Sequence, residues 1–226
     1  MDRVSFNMIQ WNMRSSRLKD QAIRELSNIY NVSCFLLQET WLSGDKTISI
    51  PHYNWLFDNR PDGYGGLAIG IKSGIQFTIL SVPTFHPSVQ MNAIQIENLT
   101  IINMYILPDT IIPTTKWMEL FDSLPRPWIL AGDLNCHSTT WGSGKSDSAG
   151  TLLLHAVQNT TSTILNDGTP TRLTPPNFLL SAPDLTITST NIAGLMDWKV
   201  FYKTYGSDHF PIVTNIRHQQ WMGKYN

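Results

Sequence analysis

Hydrophobic and polar positions alternate along most of this chain with the two-residue period of β-strands, and three stretches follow a helical period instead. The strand-like segments are residues 4–11, 34–38, 66–71, 77–82, 91–96, 99–105, 128–131, 185–188, 198–205 and 211–216. One predicted helix carries an apolar stripe over residues 18–30 behind a candidate cap at Ser16. The second follows Thr114 or Thr115, and the third follows Ser148.

Short turns such as Asp62-Gly63 join many of these strands, so the order of elements does not fit a regular barrel of alternating strands and helices. The pattern predicts an α+β fold in which two mostly antiparallel β-sheets pack face to face and the helices lie on the outside. No linker rich in Pro, Gly or Ser interrupts the 226 residues. We therefore expect a single domain over residues 1–226, with a core at about 4–217 and a short tail at 218–226.

Composition limits the possible partners. The net charge is -1 and only 15% of residues are charged, so no basic field covers the whole surface. A nucleic acid would have to be held by local groups. The two cysteines, Cys34 and Cys136, are expected to be reduced thiols of an intracellular protein. No segment approaches the ~18 apolar residues of a membrane span, so we expect no membrane partner.

Candidate chemistry lies at the ends of the predicted strands. Asp133 and Asn135 follow the strand 128–131, and residues two apart can point to the same face of a strand and converge on one spot. Carboxylates gathered in this way repel one another unless a cation or a shared proton neutralises them. The other polar residues at strand ends are Asn12, Glu39, Tyr105, Asp184, Asp208 and His209. An oxygen-rich set without Cys/His chelating spacing favours Mg²⁺ or Mn²⁺ over Zn²⁺, and a phosphate ester as the substrate.

Six short motifs follow one another along the chain: WN at 11–12, QET at 38–40, NMY at 103–105, GDLN at 132–135, PDL at 183–185 and SDH at 207–209. In this order they resemble the motifs of the exonuclease III/DNase I-like endonuclease-exonuclease-phosphatase superfamily. The segments GDLNCHSTTWGS, DGYGG and APDLTITS more narrowly resemble the apurinic/apyrimidinic-type endonuclease domain of non-LTR retrotransposons. The resemblance runs from about residue 9 to residue 216 and implies a DNase I-like four-layer α/β sandwich.

The function that this resemblance implies is a divalent-metal-dependent endonuclease acting on double-stranded DNA. Such a domain nicks one strand of the target and leaves a 3′-hydroxyl that primes reverse transcription of the retrotransposon. The implied partners are target DNA in the nucleus and a reverse transcriptase in the same polyprotein. A phosphoesterase of the same fold acting on abasic DNA or on a lipid or inositol phosphate stays open as an alternative, as does a non-catalytic DNA-binding remnant.

The resemblance also implies roles for the acidic and amide residues. Glu39 binds the metal, and Asp208 shares that duty, since both offer hard oxygen donors. Asp133 orients or deprotonates the attacking water. Asn135 holds that water or a phosphate oxygen.

Four further residues receive roles in the same way. His209 pairs with Asp184, which fixes its tautomer, so that the imidazolium stabilises charge on the phosphate. Tyr105 and Asn12 donate hydrogen bonds to the scissile phosphate.

Contacts to DNA are predicted outside this set. Many relatives carry a carboxylate two residues after the Asn of the first motif, whereas this chain has Arg14, which we expect to contact a DNA phosphate. His137 either reaches DNA or is a surface histidine without a contact. The apolar segment from Asn191 to Met196 is expected to probe the minor groove, although an ordinary tight connection fits it equally well. Other isolated basic side chains, Arg172 among them, are candidates for backbone contacts.

Structural interpretations compete with these roles. An isolated Asp133 or Asp184 is most often a turn or cap residue, and Tyr105 could be a half-buried aromatic at the rim. Trp141 is expected to fill the core rather than stack on a base. The glycines of residues 63–66 are expected to supply positive φ in a turn.

Overall fold

The structure, a computed structural model, describes residues 5–217; the predicted tail, with His218, lies outside this range. Twelve strands and four α-helices occur within it. In chain order they are β1 (Ser5–Asn12), α1 (Asp20–Tyr30), β2 (Cys34–Gln38), β3 (Tyr53–Asp58), β4 (Leu67–Lys72), β5 (Thr78–Leu80), β6 (Val89–Ile96), β7 (Leu99–Ile106), α2 (Thr114–Ser123), β8 (Trp128–Asp133), α3 (Ser148–Gln158), β9 (Ser162–Ile164), β10 (Asp184–Ser189), α4 (Thr190–Ala193), β11 (Met196–Val200) and β12 (Ile212–Arg217).

The strands form two sheets of six. One sheet has the order β11-β12-β1-β2-β4-β3 and the other β5-β6-β7-β8-β10-β9. Each contains one parallel pair, β1 with β2 and β7 with β8, and the remaining pairs are antiparallel. The prediction of two packed, mostly antiparallel sheets is confirmed.

Three apolar clusters divide the molecule into four layers. Met8 and Leu36 of the first sheet pack against Ile101 and Ile129 of the second, and they form the core between the sheets. The outer face of the first sheet packs against α1, where Ala22, Ile23 and Leu26 are buried. The outer face of the second sheet packs against α2 and α3, and Trp141 is fully buried there, as predicted.

Several element boundaries differ from the predictions. The helix α1 begins at Asp20, and its N-cap position is Lys19, which makes no side-chain cap; Ser16 is therefore not the cap. Leu18, counted in the apolar stripe, is 91% exposed because the chain turns through positive φ before the helix begins. The side chain of Asp147 caps α3 by accepting from the Gly150 N–H.

Three short elements were not predicted: β3, β9 and α4. In addition, β11 occupies Met196–Val200, so it begins two residues before and ends five residues before the predicted segment 198–205. The strand β9 and the helix α4 have only three and four residues, too few to show a period, whereas β3 does carry a strand period in Tyr53, Trp55 and Phe57. The positive φ predicted in the glycine-rich turn is confirmed for Gly63, Gly65 and Gly66.

Gly132 allows β8 to pair closely with β7. A Cβ added at this residue would lie 1.8 Å from the backbone oxygen of Met104 on the neighbouring strand. Since that oxygen belongs to a sheet, relief would require moving the strand that ends in Asp133. We expect Gly132→Ala to lower the free energy of unfolding by about 3 kcal/mol, as measured by urea denaturation.

The matched control is Gly194→Ala. A Cβ at Gly194 meets nothing within 4 Å, and its φ of -68° suits any residue. This variant should unfold within about 0.5 kcal/mol of the wild type. Equal midpoints for the two alanine variants would contradict the steric argument.

Candidate active site

The inner faces of several strands change from apolar to polar at the same end of the two sheets. Along β1, Met8 lies in the core between the sheets, whereas Gln10 and Asn12, on the same face, are buried polar residues. On β8 the same alternation reaches Asp133, whose register partner across the antiparallel pair is Asp184, the first residue of β10. The carboxylates of Asp133 and Asp184 thus face each other at the edge of the core between the two sheets.

Buried amides connect the two sheets beside these carboxylates. The Gln38 Nε2 donates to the Asn103 Oδ1 at 2.7 Å, and the Gln10 Nε2 donates to the Gly132 carbonyl at 2.9 Å. Asn103 also donates to two carbonyls of the first sheet. Because buried hydrogen-bonded amides are costly to disrupt, they fix the relative position of the sheets at the site.

Asp133, Asp184 and His209 form a buried cluster whose ligand atoms lie within 4.8 Å of one another. The Nδ1 of His209 is 3.0 and 2.8 Å from the two carboxylate oxygens of Asp184. Its Nε2 is 3.9 Å from the Asp133 Oδ2. The Thr171 hydroxyl donates to the Asp184 Oδ2 at 2.6 Å. Asp184 therefore orients the imidazole, and the opposite ring nitrogen faces Asp133.

The charges within the cluster favour protonation of His209. Burial and the neighbouring charge of Asp184 raise the pKa of Asp133 to about 6. Burial lowers the pKa of His209, but the charges of Asp184 and Asp133 and the hydrogen bond to Asp184 outweigh it and raise the pKa to about 9. Near neutral pH the cluster thus contains ionised Asp133 and an imidazolium.

The raised pKa of His209 makes stability depend on pH. The folded-state pKa of about 9 exceeds the usual 6.5, so this contribution is complete below pH 6.5 and is lost as pH rises towards and through 9. We expect the free energy of unfolding in EDTA to fall between pH 7 and 9.5 by on the order of 2 kcal/mol. Urea titrations of the wild type and His209→Gln test this, since the variant should lack the decline; parallel curves would refute the assignment.

Asn12 links Glu39 to the cluster. Its Nδ2 donates to the Glu39 Oε1 at 2.7 Å and to the Asp133 Oδ2 at 2.8 Å. The other oxygen of Glu39 accepts from the Trp41 indole N–H at 3.1 Å. Burial and the nearby charges of Glu39 and Asp133 raise the pKa of Tyr105, so its hydroxyl stays protonated beside Glu39. Glu39, Asn12 and Tyr105 therefore surround the partly exposed mouth of the site.

Asn135 reaches the site by a different route from the one expected. The strand β8 ends at Asp133, and Asn135 has a left-handed φ of 47°, so the two residues do not share a strand face. The Asn135 N–H donates to the Asp133 Oδ1 at 3.1 Å. Its side-chain Nδ2 donates to the Ile106 carbonyl at 2.7 Å, which fixes the amide at the edge of the site.

Asp208 and Arg14 lie next to the cluster and close to each other. The Asp208 Oδ2 accepts from the Nε and Nη2 of Arg172 at 3.0 and 2.8 Å. The Arg14 Nη1 is 3.7 Å from the Asp208 Oδ1. His137 is held within its own loop region, since its Nδ1 lies 2.8 Å from the Asp147 Oδ2 and its Nε2 lies 3.3 Å from the Ser181 hydroxyl.

The segment from Asn191 to Met196 is remote from this site, and the burial of Met196 corrects the prediction that this side chain reaches DNA. It follows β10 at the end opposite Asp184, about 16 Å away for a strand of this length. Met196 is only 8% exposed and packs in the core between the sheets, so its side chain is not available to DNA. Asn191 is exposed but lies at the same distant end.

A different loop, residues 173–180, borders the site and was not predicted. It is tied to the cluster because the Leu173 N–H donates to the Asp208 carbonyl at 2.7 Å and Thr171 binds Asp184. Its large apolar side chains are more than half exposed: Leu173, Phe178, Leu179 and Leu180. The sequence signal was a cluster of apolar residues behind Pro175-Pro176 in a segment without strand periodicity.

The side chains at the mouth fit a hard divalent cation. Glu39 and Asp133 offer carboxylate oxygens, the donors that Mg²⁺ and Mn²⁺ prefer. The shared amide of Asn12 holds these two groups side by side, and Glu39 is partly open to solvent. Neither cysteine is near enough to the cluster to join a common group of ligands, and both are buried free thiols.

Two mixed six-stranded sheets that pack face to face, with helices on the outside, form the DNase I-like fold. The endonuclease domain of TRAS1, a telomere-specific non-LTR retrotransposon, has the same fold, with a TM-score of 0.75 at 23% identity over 95% of this chain and 99% of that one. The AP endonuclease LMAP from Leishmania major also matches, with a TM-score of 0.75 at 16% identity over 95% of this chain and 88% of that one.

The sequence profile described as endonuclease-reverse transcriptase matches residues 99–213, and the chain belongs to this family. A probable RNA-directed DNA polymerase from transposon X-element of Drosophila melanogaster is 25% identical over 94% of this chain. The chain spans about a quarter of the length of the curated relatives that it matches. The resemblance inferred from the six motifs is thus confirmed.

Proposed function

We propose that this chain is a divalent-metal-dependent DNA endonuclease domain that nicks one strand of a duplex target. The observation that carries the proposal is the buried cluster of Asp133, Asp184 and His209, joined through Asn12 to the open carboxylate of Glu39. Family membership supports a place within a larger polyprotein with a reverse transcriptase. The nick leaves a 3′-hydroxyl that primes reverse transcription on chromosomal DNA in the nucleus.

The reaction is hydrolysis of one phosphodiester bond. Asp133, ionised above a pKa of about 6, accepts a proton from the attacking water. The water oxygen forms a bond to phosphorus while the bond to the 3′-oxygen breaks. The 3′-oxygen leaves and takes up a proton from solvent, and the phosphate stays on the 5′-oxygen of the next nucleotide. His209, positively charged below a pKa of about 9, stabilises the negative charge that develops on the phosphate oxygens.

The residues at the mouth bind and orient the phosphate. Glu39 is the principal residue to hold the divalent ion, which supplies Lewis-acid stabilisation of a phosphate oxygen. Tyr105, with its hydroxyl protonated, donates to the same phosphate, and Asn12 keeps the carboxylates of Glu39 and Asp133 in position. Asn135 lines the edge of the water site through its bond to Asp133.

Local groups provide the DNA contacts, because the net charge of -1 supplies no general attraction. Arg14, with more than half of its side chain exposed, faces solvent beside the site. The exposed apolar residues of the loop 173–180 lie against the minor groove and read its width. Among the described residues no helix is long and apolar enough to cross a membrane.

Nicking of supercoiled plasmid in Mg²⁺ and in EDTA tests the proposal. The expected result is relaxed circular DNA only with the metal, with nicks that a DNA polymerase extends without end repair. Plasmid that stays supercoiled at all metal concentrations would overturn it. Parallel assays on sphingomyelin and inositol phosphates should be negative, and an abasic duplex should be cut no faster than the intact duplex.

A further inference from the structure

One carboxylate beside the active site is shared by two arginines. Arg172 contacts the Asp208 Oδ2 with two nitrogens, at 3.0 and 2.8 Å, and Arg14 approaches the Oδ1 at 3.7 Å. The Asp208 side chain is 22% exposed, whereas those of Arg14 and Arg172 are 58% and 41% exposed. The carboxylate therefore lies beneath the two guanidinium groups, which face outwards.

Several further charges lie close to this group. The ammonium of Lys19 lies close by, and burial together with the charge of Arg14 lowers its pKa, while Asp208 opposes that shift. Three basic side chains thus interact with Asp208, and Arg172 also interacts with the charges of Asp133 and Asp184. Those two acids are buried, whereas the two guanidinium groups are exposed and match the geometry of phosphate oxygens.

The position of the group relative to the reaction centre is fixed by the backbone. Arg14 follows Asn12 by two residues, and its N–H donates to the Asn12 Oδ1 at 3.0 Å. Arg172 pairs through its backbone with His209 and Ser181, directly after Thr171, which binds Asp184. Both arginines are therefore anchored to residues that contact the catalytic carboxylates.

Cation binding and arginine binding compete for the same carboxylate. The Oδ2 of Asp208 already accepts two hydrogen bonds from Arg172, and the Oδ1 is buried without a hydrogen-bond partner beside Arg14. A divalent ion at Asp208 would lie close to two permanent positive charges, which repel it. Glu39 forms no ion pair with any residue in the described range 5–217, and its oxygens accept from the uncharged groups of Asn12 and Trp41.

We propose that Asp208 is a positioning residue that holds Arg14 and Arg172 as a pair for the backbone phosphates next to the scissile bond, and that it is not a ligand of the cation. This inference rests on the proposed endonuclease function, and it assigns the DNA contacts of that site. It also explains how a chain with almost no net charge holds a polyanion at one place.

The first experiment measures binding of a short DNA duplex in EDTA at several salt concentrations. The slope of log affinity against log salt is negative, and losing one bond between a basic side chain and a phosphate makes it less steep by about 0.9. Arg14→Gln and Arg172→Gln should each reduce the steepness of this slope by about one, and the double variant should reduce it by about two. The matched control is Arg126→Gln, because Arg126 has a similar exposure of 44% and a loose pair with Asp122 at 3.9 Å.

The second experiment separates positioning from cation binding. The effect of Arg172→Gln on DNA affinity is measured in the wild type and in Asp208→Asn. The fold-loss of affinity should be at least three times smaller in Asp208→Asn, because the guanidinium of Arg172 has already lost its anchor there. The affinity for Mn²⁺ is measured from the decrease of the paramagnetic resonance signal of the free ion. In Asp208→Asn this affinity should stay within about twofold of the wild-type value. It should weaken at least tenfold in Glu39→Gln. Thermal melting of every variant verifies that it is folded.

Two outcomes would overturn the inference. One is a salt slope for the two arginine variants equal to that of Arg126→Gln. The other is a loss of Mn²⁺ affinity in Asp208→Asn as large as that in Glu39→Gln. Wild-type protein that nicks plasmid and gives either outcome refutes this inference alone, whereas wild-type protein that neither nicks nor binds duplex refutes the proposed function as well.

Discussion

Asp133→Asn is expected to lower the single-turnover rate of plasmid nicking by about 10³-fold, within the 10²–10⁴ that a positioned base contributes. The amide has nearly the shape of the carboxylate, but its single oxygen can accept from only one of the two donors, the Asn12 Nδ2 or the Asn135 N–H, and it does not accept the proton of the attacking water. The variant should remain folded. Burial and the neighbouring charge of Asp184 raise the pKa of Asp133 to about 6, so the neutral amide should be at least as stable as the wild type above that pH.

Loss of rate together with undiminished stability distinguishes a catalytic role from a structural one. The measurements are nicking rates at saturating protein and urea denaturation at pH 7.5. The control is Asp197→Asn, at the far end of β11, where the side chain is 70% exposed and pairs only loosely with Arg217. If Asp133→Asn nicks within tenfold of the wild type, Asp133 is not the base.

His209→Gln is expected to reduce nicking by about 10²–10³-fold and, unlike the first variant, to destabilise the fold. Its removal leaves the buried carboxylates of Asp184 and Asp133 without the imidazolium that faces both of them. Breaking a buried ion pair by deleting one partner costs about 3 kcal/mol. Urea denaturation at pH 7.5 measures this loss, and nicking assays below the melting temperature measure the rate.

A double-mutant cycle identifies the pairing behind this effect. Asp184→Asn should cost much less in the His209→Gln background than in the wild type, because the charge it removes has then lost its partner. His155→Ala is the control, since this histidine lies on the exposed face of α3. Additive losses in the cycle would show that Asp184 does not act through His209.

Local sequence determined most elements and the polarity of their ends. Alternation along β1 and β8 fixes which residues face the neighbouring sheet, because side chains of a strand point to opposite faces in turn. The same rule shows that Asn12 and Asp133 continue the inner faces of their strands as polar groups. The motif resemblance identified Glu39, Asp184 and His209 as their companions, and the structure brings all five residues to one place.

Predictions from local sequence were wrong or missing where the contacts of a residue depend on the path of the whole chain. Nothing near Met196 indicates that β11 pairs with β12 at the sheet edge and buries this side chain between the sheets. The loop 173–180 has no periodicity, and contacts between residues distant in the chain bring it to the site, such as the bridge of Arg172 to His209 and the bond from the Leu173 N–H to the Asp208 carbonyl. Asn135 leaves the strand because its backbone turns, which the i, i+2 rule does not include.

The sequence by itself determined the alternation of strands, the placement of carboxylates at their ends and the membership of a nuclease family, because periodicity and motifs depend on residues close together in the chain. The tertiary structure alone decided that Arg14 and Arg172 share Asp208, which lies 194 and 36 positions further along the chain. Ion pairs between such distant residues have no local signal, since they depend on which strand ends the two sheets place side by side.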